Sequence, residues 1–241
     1  MRGIVVIIVG ALALSSWLIM PVEAQQSCAP SGPFRDWVLG SVGSAQRIVI
    51  AIDNSGSVQQ AGRLPLEKQC AIAIVQALSG KQFAILSFNE TVTTVQSLTT
   101  DTQTLINAIN SISDTSNATD IGRAIDTSCT FTQPVRPNGA LVLETDGIPT
   151  RGSPDPLTAA RNAANNFKAN CSTLAVVGFD LDTEGARFLS SIASPGAYTC
   201  VGRCSSVPTL TEWGLIVLGL LLAGSLAFMI RRRYAPRPAG A

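Results

Sequence analysis

The side chains best placed to do chemistry in this chain are oxygen donors. The stretch DNSGS at 53–57 sets Asp53, Ser55 and Ser57 at alternate positions directly after the apolar run RIVIAI at 47–52. Thr119, in NATDIGRAI, immediately precedes a stretch with helical spacing, and Asp146 closes a second apolar run, ALVLET at 140–145. Two carboxylates and three hydroxyls make an all-oxygen set. Hard divalent cations bind such sets, and Mg²⁺ in particular takes few protein ligands and keeps several waters. Each residue alone also has an ordinary role: a serine turn, a helix cap at Thr119, a Thr-Asp-Gly turn after a strand. Other chemistries lack their parts. The chain has no His, which excludes a Ser-His-Asp triad and an H-E-x-x-H zinc helix, and it carries neither a CxxC pair nor a Gly-rich phosphate loop.

The elements that must position these oxygens alternate in type. RIVIAI and ALVLET read as strands buried on both faces, and TLAVVGF as a further one. QFAILSF and TVTTVQSL flank Asn89-Glu90, a pair suited to a hairpin turn, so one antiparallel strand is expected there. AYTCVG reads as a short edge strand. Helical spacing runs from about Val58 to Leu78, and recurs in DTQTLINAINSI, IGRAIDTS and TEGARFLSSI; Asp155 with Pro156 has the signature of a capped helix start. The fold class expected is α/β: a doubly wound, Rossmann-like, mostly parallel sheet with one antiparallel edge strand and helices on both faces. In such sheets ligands bind beyond the carboxyl ends of the strands, where Asp53, Ser55, Ser57 and Asp146 fall.

DNSGS, then ATDIG, then TDGIP, in this order on these strand ends, resembles the von Willebrand factor A domain over about 45–202. That family's metal-ion-dependent adhesion site uses D-x-S-x-S, a Thr and an Asp, which match Asp53, Ser55, Ser57, Thr119 and Asp146 here. The resemblance implies a bound Mg²⁺ or Mn²⁺ touched directly by Ser55 and Ser57. Thr119 and the two Asp residues would bind directly or through water, and an Asp or Glu of an outside ligand would complete the octahedron.

Both ends differ from the middle. Residues 1–24 have Arg2, an apolar stretch and Val22-Glu23-Ala24, the pattern of a secretory signal peptide. Residues 213–230 hold no charge and are followed by Arg231, Arg232 and Arg233, which reads as a transmembrane segment with a basic cytoplasmic tail at 231–241. Residues 25–44 and 203–212 read as linkers around a domain at 45–202. VPTLTEWG at 207–214, ahead of that apolar span and Arg cluster, is similar to the IPTL-type C-terminal sorting signals of Gram-negative bacteria, with Val207 in place of the usual Ile. That likeness implies processing by an exosortase-like membrane enzyme and a home in the bacterial envelope, with the domain outside and the tail in the cytoplasm.

Setting aside the five arginines and two glutamates of the two ends leaves 12 basic against 14 acidic residues in the middle, so there is no nucleic-acid footprint. All six cysteines lie in this exported middle, which predicts disulfides. The expected pairs are Cys28 with Cys200 or Cys204, clamping the domain ends, and Cys129 with Cys171; a buried, unpaired Cys70 is the rival arrangement. The function expected is a non-enzymatic module that binds an acidic protein or surface ligand through its cation. The alternatives are a structural or assembly component of an envelope complex and a metal-dependent hydrolase.

Overall fold

Strand β1 (Arg47–Asp53) is the axis of the fold, buried at every residue after Arg47, as a run of β-branched and small apolar side chains allows when both faces of a sheet are covered. In the computed structural model, which describes residues 28–29, 31–133 and 138–203, β1 pairs in parallel with β2 (Gln82–Phe88) on one side and with β4 (Gly139–Thr145) on the other. β3 (Val92–Thr99) adds antiparallel to β2 through the turn at Asn89, whose Oδ1 accepts the Thr91 N–H at 2.9 Å. β5 (Thr173–Phe179) and the short β6 (Tyr198–Val201) extend the other side in parallel. The order β3-β2-β1-β4-β5-β6 makes a mixed, mostly parallel sheet of six strands with one antiparallel edge, as expected.

Alternation along β1 sends Ile48, Ile50 and Ile52 to one core and Val49 and Ala51 to the other. The first core is covered by α1 (Pro33–Val42), α3 (Leu64–Ala77) and α4 (Thr102–Ser111), the second by α5 (Ile121–Thr132), α6 (Pro156–Asn170) and α7 (Thr183–Ile192). Asp155 caps α6 as anticipated, accepting the Thr158 N–H at 3.0 Å with Pro156 in the first turn.

Three expectations need correction. Residues 33–42, read as linker, form α1, because Phe34, Val38 and Val42 recur every fourth residue and bury one stripe against the sheet. The helix read from Val58 to Leu78 is two helices, α2 (Gly56–Ala61) and α3, since Gly62 takes the left-handed conformation (φ 63°) that ends a helix, and Pro65 opens the next. Cys28 pairs with Cys70, not with Cys200 or Cys204, because α1 lies against α3; their Cα atoms are 4.8 Å apart. Cys70 is therefore not a free thiol. The Cys129–Cys171 pair forms as expected, between the ends of α5 and α6, and Cys200 is also disulfide-bonded.

The signal peptide at 1–24, the sorting motif at 207–214, the span at 213–230 and the basic tail lie outside the described residues, as does the linker beyond Arg203. Among the described residues no helix is long and apolar enough to cross a membrane.

Candidate metal centre

The chain leaves β1 for β2 on one side and later adds β4 on the other, so the strand order reverses between β1 and β4. Asp53 ends β1 and Asp146 follows β4, which puts both carboxylates at this reversal, the place where open α/β sheets bind ligands. Asp53 is fully buried. Its Oδ1 accepts the Ser55 N–H at 2.9 Å and its Oδ2 accepts the Thr145 hydroxyl at 2.7 Å. Ser55 Oγ and Ser57 Oγ are 3.2 Å apart, and Ser57 Oγ donates to Asp146 Oδ1 at 2.8 Å. Four of the five expected ligands thus form one hydrogen-bonded oxygen cluster.

Thr119 reaches the same rim by a different route. The loop ahead of α5 is laced to the end of β1: Asn54 Nδ2 donates to the Ser113 carbonyl, and the Thr115 N–H and hydroxyl both donate to the Asn54 carbonyl. Gly56 allows this close approach, because its N–H donates to the Asn117 carbonyl at 2.8 Å and an added Cβ would meet the Ser116 and Asn117 backbone at 3.3 Å. From the other side, Thr150 and Arg151 donate their N–H groups to the Thr119 carbonyl, and Thr150 Oγ1 accepts the Thr119 N–H at 2.9 Å. The Thr119 side chain makes no hydrogen bond to the other four ligands.

Electrostatics favour a cation here. Burial pushes the Asp53 carboxyl up to about 7, against lowering by its hydrogen bonds from Ser55 and Thr145, with a small further rise from the neighbouring Asp146. Two more carboxyls lie near the cluster: Glu67 on α3 and Glu144 on β4 are fully buried with no hydrogen-bond partner among the described residues, and burial raises both well above the usual carboxylate range. Among the described residues there is no group of three or more His, Cys, Asp and Glu able to hold a metal. The donor set is instead hydroxyl-rich and oxygen-only, with an uncompensated buried carboxyl at its base, and this chemistry fits a hard divalent cation.

Several participants were not legible beforehand. Thr145, next to Asp146 in sequence, donates its hydroxyl to Asp53. Arg63, at the break between α2 and α3, donates Nη1 to Asp146 Oδ2 at 3.0 Å and brings Nε within 3.3 Å of Asp180 Oδ2. The Gly62 helix stop was the only local sign that residue 63 would turn toward the site.

Comparison with known proteins agrees with this geometry. No curated protein sequence matches the chain significantly. Among solved structures, the vWF domain of the type V pilus tip protein Mfa5 from Porphyromonas gingivalis is similar at TM-score 0.58 and 13% identity, covering 75% of this chain and 96% of that one. Proximal thread matrix protein 1 of the mussel byssus, described with a zinc-occupied MIDAS motif, is similar at TM-score 0.56 and 19% identity over 66% of this chain. The pilus adhesin SpaC from Lactobacillus rhamnosus GG is similar at TM-score 0.54 and 14% identity, again over 66% of this chain. The match spans only 44% of the mussel protein and 28% of the adhesin. An IPTL-CTERM motif matches residues 205–233. The model of the von Willebrand factor type A domain matches residues 48–213, the stretch that holds all five candidate oxygen ligands and all of the sheet but Arg47, and the chain belongs to that family.

Proposed function

We propose that this chain is an exported, envelope-attached module that binds a divalent cation and, through it, an acidic group of a protein or surface ligand. The observation that carries the proposal is the continuous oxygen cluster of Asp53, Ser55, Ser57 and Asp146 at the strand-order reversal. With Thr119, these residues would hold Mg²⁺ or Mn²⁺; hard oxygen donors suit either. A cation bound there supplies Lewis acidity toward a carboxylate brought by the ligand. The rest is done by the protein's own groups. Thr145 and the Ser55 N–H orient Asp53, Ser57 aims one oxygen of Asp146 at the cluster, and the laced loop holds Thr119 on the rim.

Family membership, a zinc-occupied MIDAS in the mussel protein and the adhesin and pilus-tip roles of other relatives support a non-enzymatic adhesive reading. The IPTL-CTERM match and the apolar 213–230 span support an envelope location, with the domain outside, the tail in the cytoplasm and processing by an exosortase-like enzyme. The test is a pull-down from envelope extract with the purified protein in Mg²⁺ or in EDTA, alongside Asp53→Ala. Partners are expected only with wild type in Mg²⁺. Recovery of the same partners in EDTA and by Asp53→Ala would defeat the adhesive reading. If that recovery also resisted salt, a fixed place in an envelope assembly, suggested by the pilus-tip relative, would replace it.

A further inference from the structure

The Asp146 carboxylate is divided between two kinds of partner. Its Oδ1 accepts the Ser57 hydroxyl at 2.8 Å, while its Oδ2 accepts Arg63 Nη1 at 3.0 Å, and the side chain is only 1% exposed. One oxygen of this candidate ligand therefore faces the cationic guanidinium of Arg63. The guanidinium is itself shared, because Nε lies 3.3 Å from Asp180 Oδ2. Asp180 is a held residue: it sits at φ 47°, unusual for a non-glycine, its N–H donates to the Val201 carbonyl at 3.0 Å, and its Oδ1 accepts the Arg203 N–H. Asp180 thus holds the Nε edge of the same guanidinium that donates Nη1 to Asp146.

We propose that Arg63 sets the cation affinity of the Asp53, Ser55, Ser57, Thr119 and Asp146 site, as a built-in competitor for Asp146 whose pull is moderated by Asp180. The proposal rests on the metal-site reading above. Arg63 touches the candidate ligand Asp146 but not the cation in this account; it is a positioning residue. A positive charge on Asp146 opposes the arrival of a second one, and it also gives a buried carboxylate a partner when no metal is present. Two effects of opposite sign follow from removing it. The metal-free fold loses a partner for a buried charge and melts earlier, while the site gains affinity for the bare cation. With the Arg63 side chain 23% exposed, solvent screens its charge in part, and the gain expected is roughly tenfold.

The test is calorimetric titration of Mn²⁺ into the full chain in detergent micelles, paired with melting curves with and without Mn²⁺. Arg63→Met, which keeps the aliphatic stem, is expected to melt earlier than wild type without metal, to bind Mn²⁺ roughly tenfold tighter, and to recover more of its melting temperature on Mn²⁺ addition. Asp180→Asn should act in the opposite sense, turning Arg63 wholly to Asp146 and weakening Mn²⁺ binding several-fold, and the double variant should match Arg63→Met. A merely structural Arg63 would give an Arg63→Met protein that melts earlier and binds Mn²⁺ no better than wild type, which would overturn the proposal. If Arg63→Met does not fold, Asp180→Asn decides alone: binding equal to or tighter than wild type overturns it. Wild-type Mn²⁺ binding that is lost in Asp53→Ala but unmoved in both variants sinks this proposal and leaves the metal site standing. Absence of Mn²⁺ binding by wild type sinks both.

Discussion

Asp53 is where burial and charge conflict most directly. An isolated carboxylate with no exposed surface is costly, and the response of the metal-free fold is to hold the group protonated up to about 7. The sign of the consequence is fixed: the folded value lies above the ordinary 3.8, so the fold keeps a proton that the unfolded chain has lost. Stability from this group is full below about 3.8 and is lost as pH rises through about 7. A divalent cation takes the place of that proton. Mn²⁺ should therefore raise the melting temperature more at pH 8 than at pH 6, and binding at pH 6 should release protons, visible as a dependence of the calorimetric heat on the buffer. Asp53→Ala should abolish binding while keeping a native circular dichroism spectrum, because Asp53 is the last residue of β1 and belongs to neither apolar core. Unchanged affinity in a folded Asp53→Ala protein would remove Asp53 from the site. Glu67 has the same sign without a hydrogen-bond partner, so Glu67→Gln should gain on wild type in melting temperature as pH rises from 5 to 8. A variant melting temperature that falls relative to wild type over that range would contradict its burial as a neutral acid.

The elements were legible in proportion to how locally their residues decide them. β1 and β4 could be read directly because 48–52 and 140–143 are unbroken apolar runs of strand length, the pattern of a strand covered on both faces. The candidate ligands Asp53, Ser55 and Ser57 could be picked out because a D-x-S-x-S spacing is local, whereas Thr145 meets Asp53 across 92 residues and Arg63 meets Asp146 across 83. Nothing near Arg63 announces those partners. Helix α1 was hidden by composition: its stripe of Phe34, Val38 and Val42 is interrupted by Gly40 and Ser41 and flanked by more Gly and Ser, which reads as loop until the sheet is there to cover. Misreading α1 also misplaced Cys28. The Cys28–Cys70 bridge closes a separation of 42 residues and ties α1 to α3, worth about 4 kcal/mol in the chain-entropy picture. Replacing both by Ser should lower the melting temperature by roughly 8–16 °C for a domain of this size. Mn²⁺ affinity should stay within error, since neither cysteine contacts a ligand. A large loss of affinity would mean that α1 shapes the rim after all.

At the scale of the molecule, the site and the start of the C-terminal segment share one rim. β6 runs parallel to β5, so its carboxyl end lies on the same side of the sheet as those of β1 and β4, and the Arg203 N–H is held there by Asp180. What happens to the chain beyond Arg203 therefore bears on access to the site. A plain anchor needs an apolar span of about the bilayer thickness, and 213–230 supplies one, but it has no need of Pro208-Thr209 or Trp213-Gly214. A processing signal does need a defined sequence ahead of the span, and the IPTL-CTERM match covers 205–233. Processing would release the rim from a tether of some ten residues at the membrane, which at about 3.3–3.6 Å per residue keeps it within roughly 36 Å of the bilayer. The native protein should accordingly show a C-terminus near residues 207–214 by intact mass. Pro208→Ala with Thr209→Ala should leave export and Mn²⁺ binding unchanged while a slightly larger, membrane-retained form accumulates. Recovery of a mature native species that still ends in RPAGA would return 205–233 to a plain anchor and leave the rim tethered near the bilayer for the life of the protein.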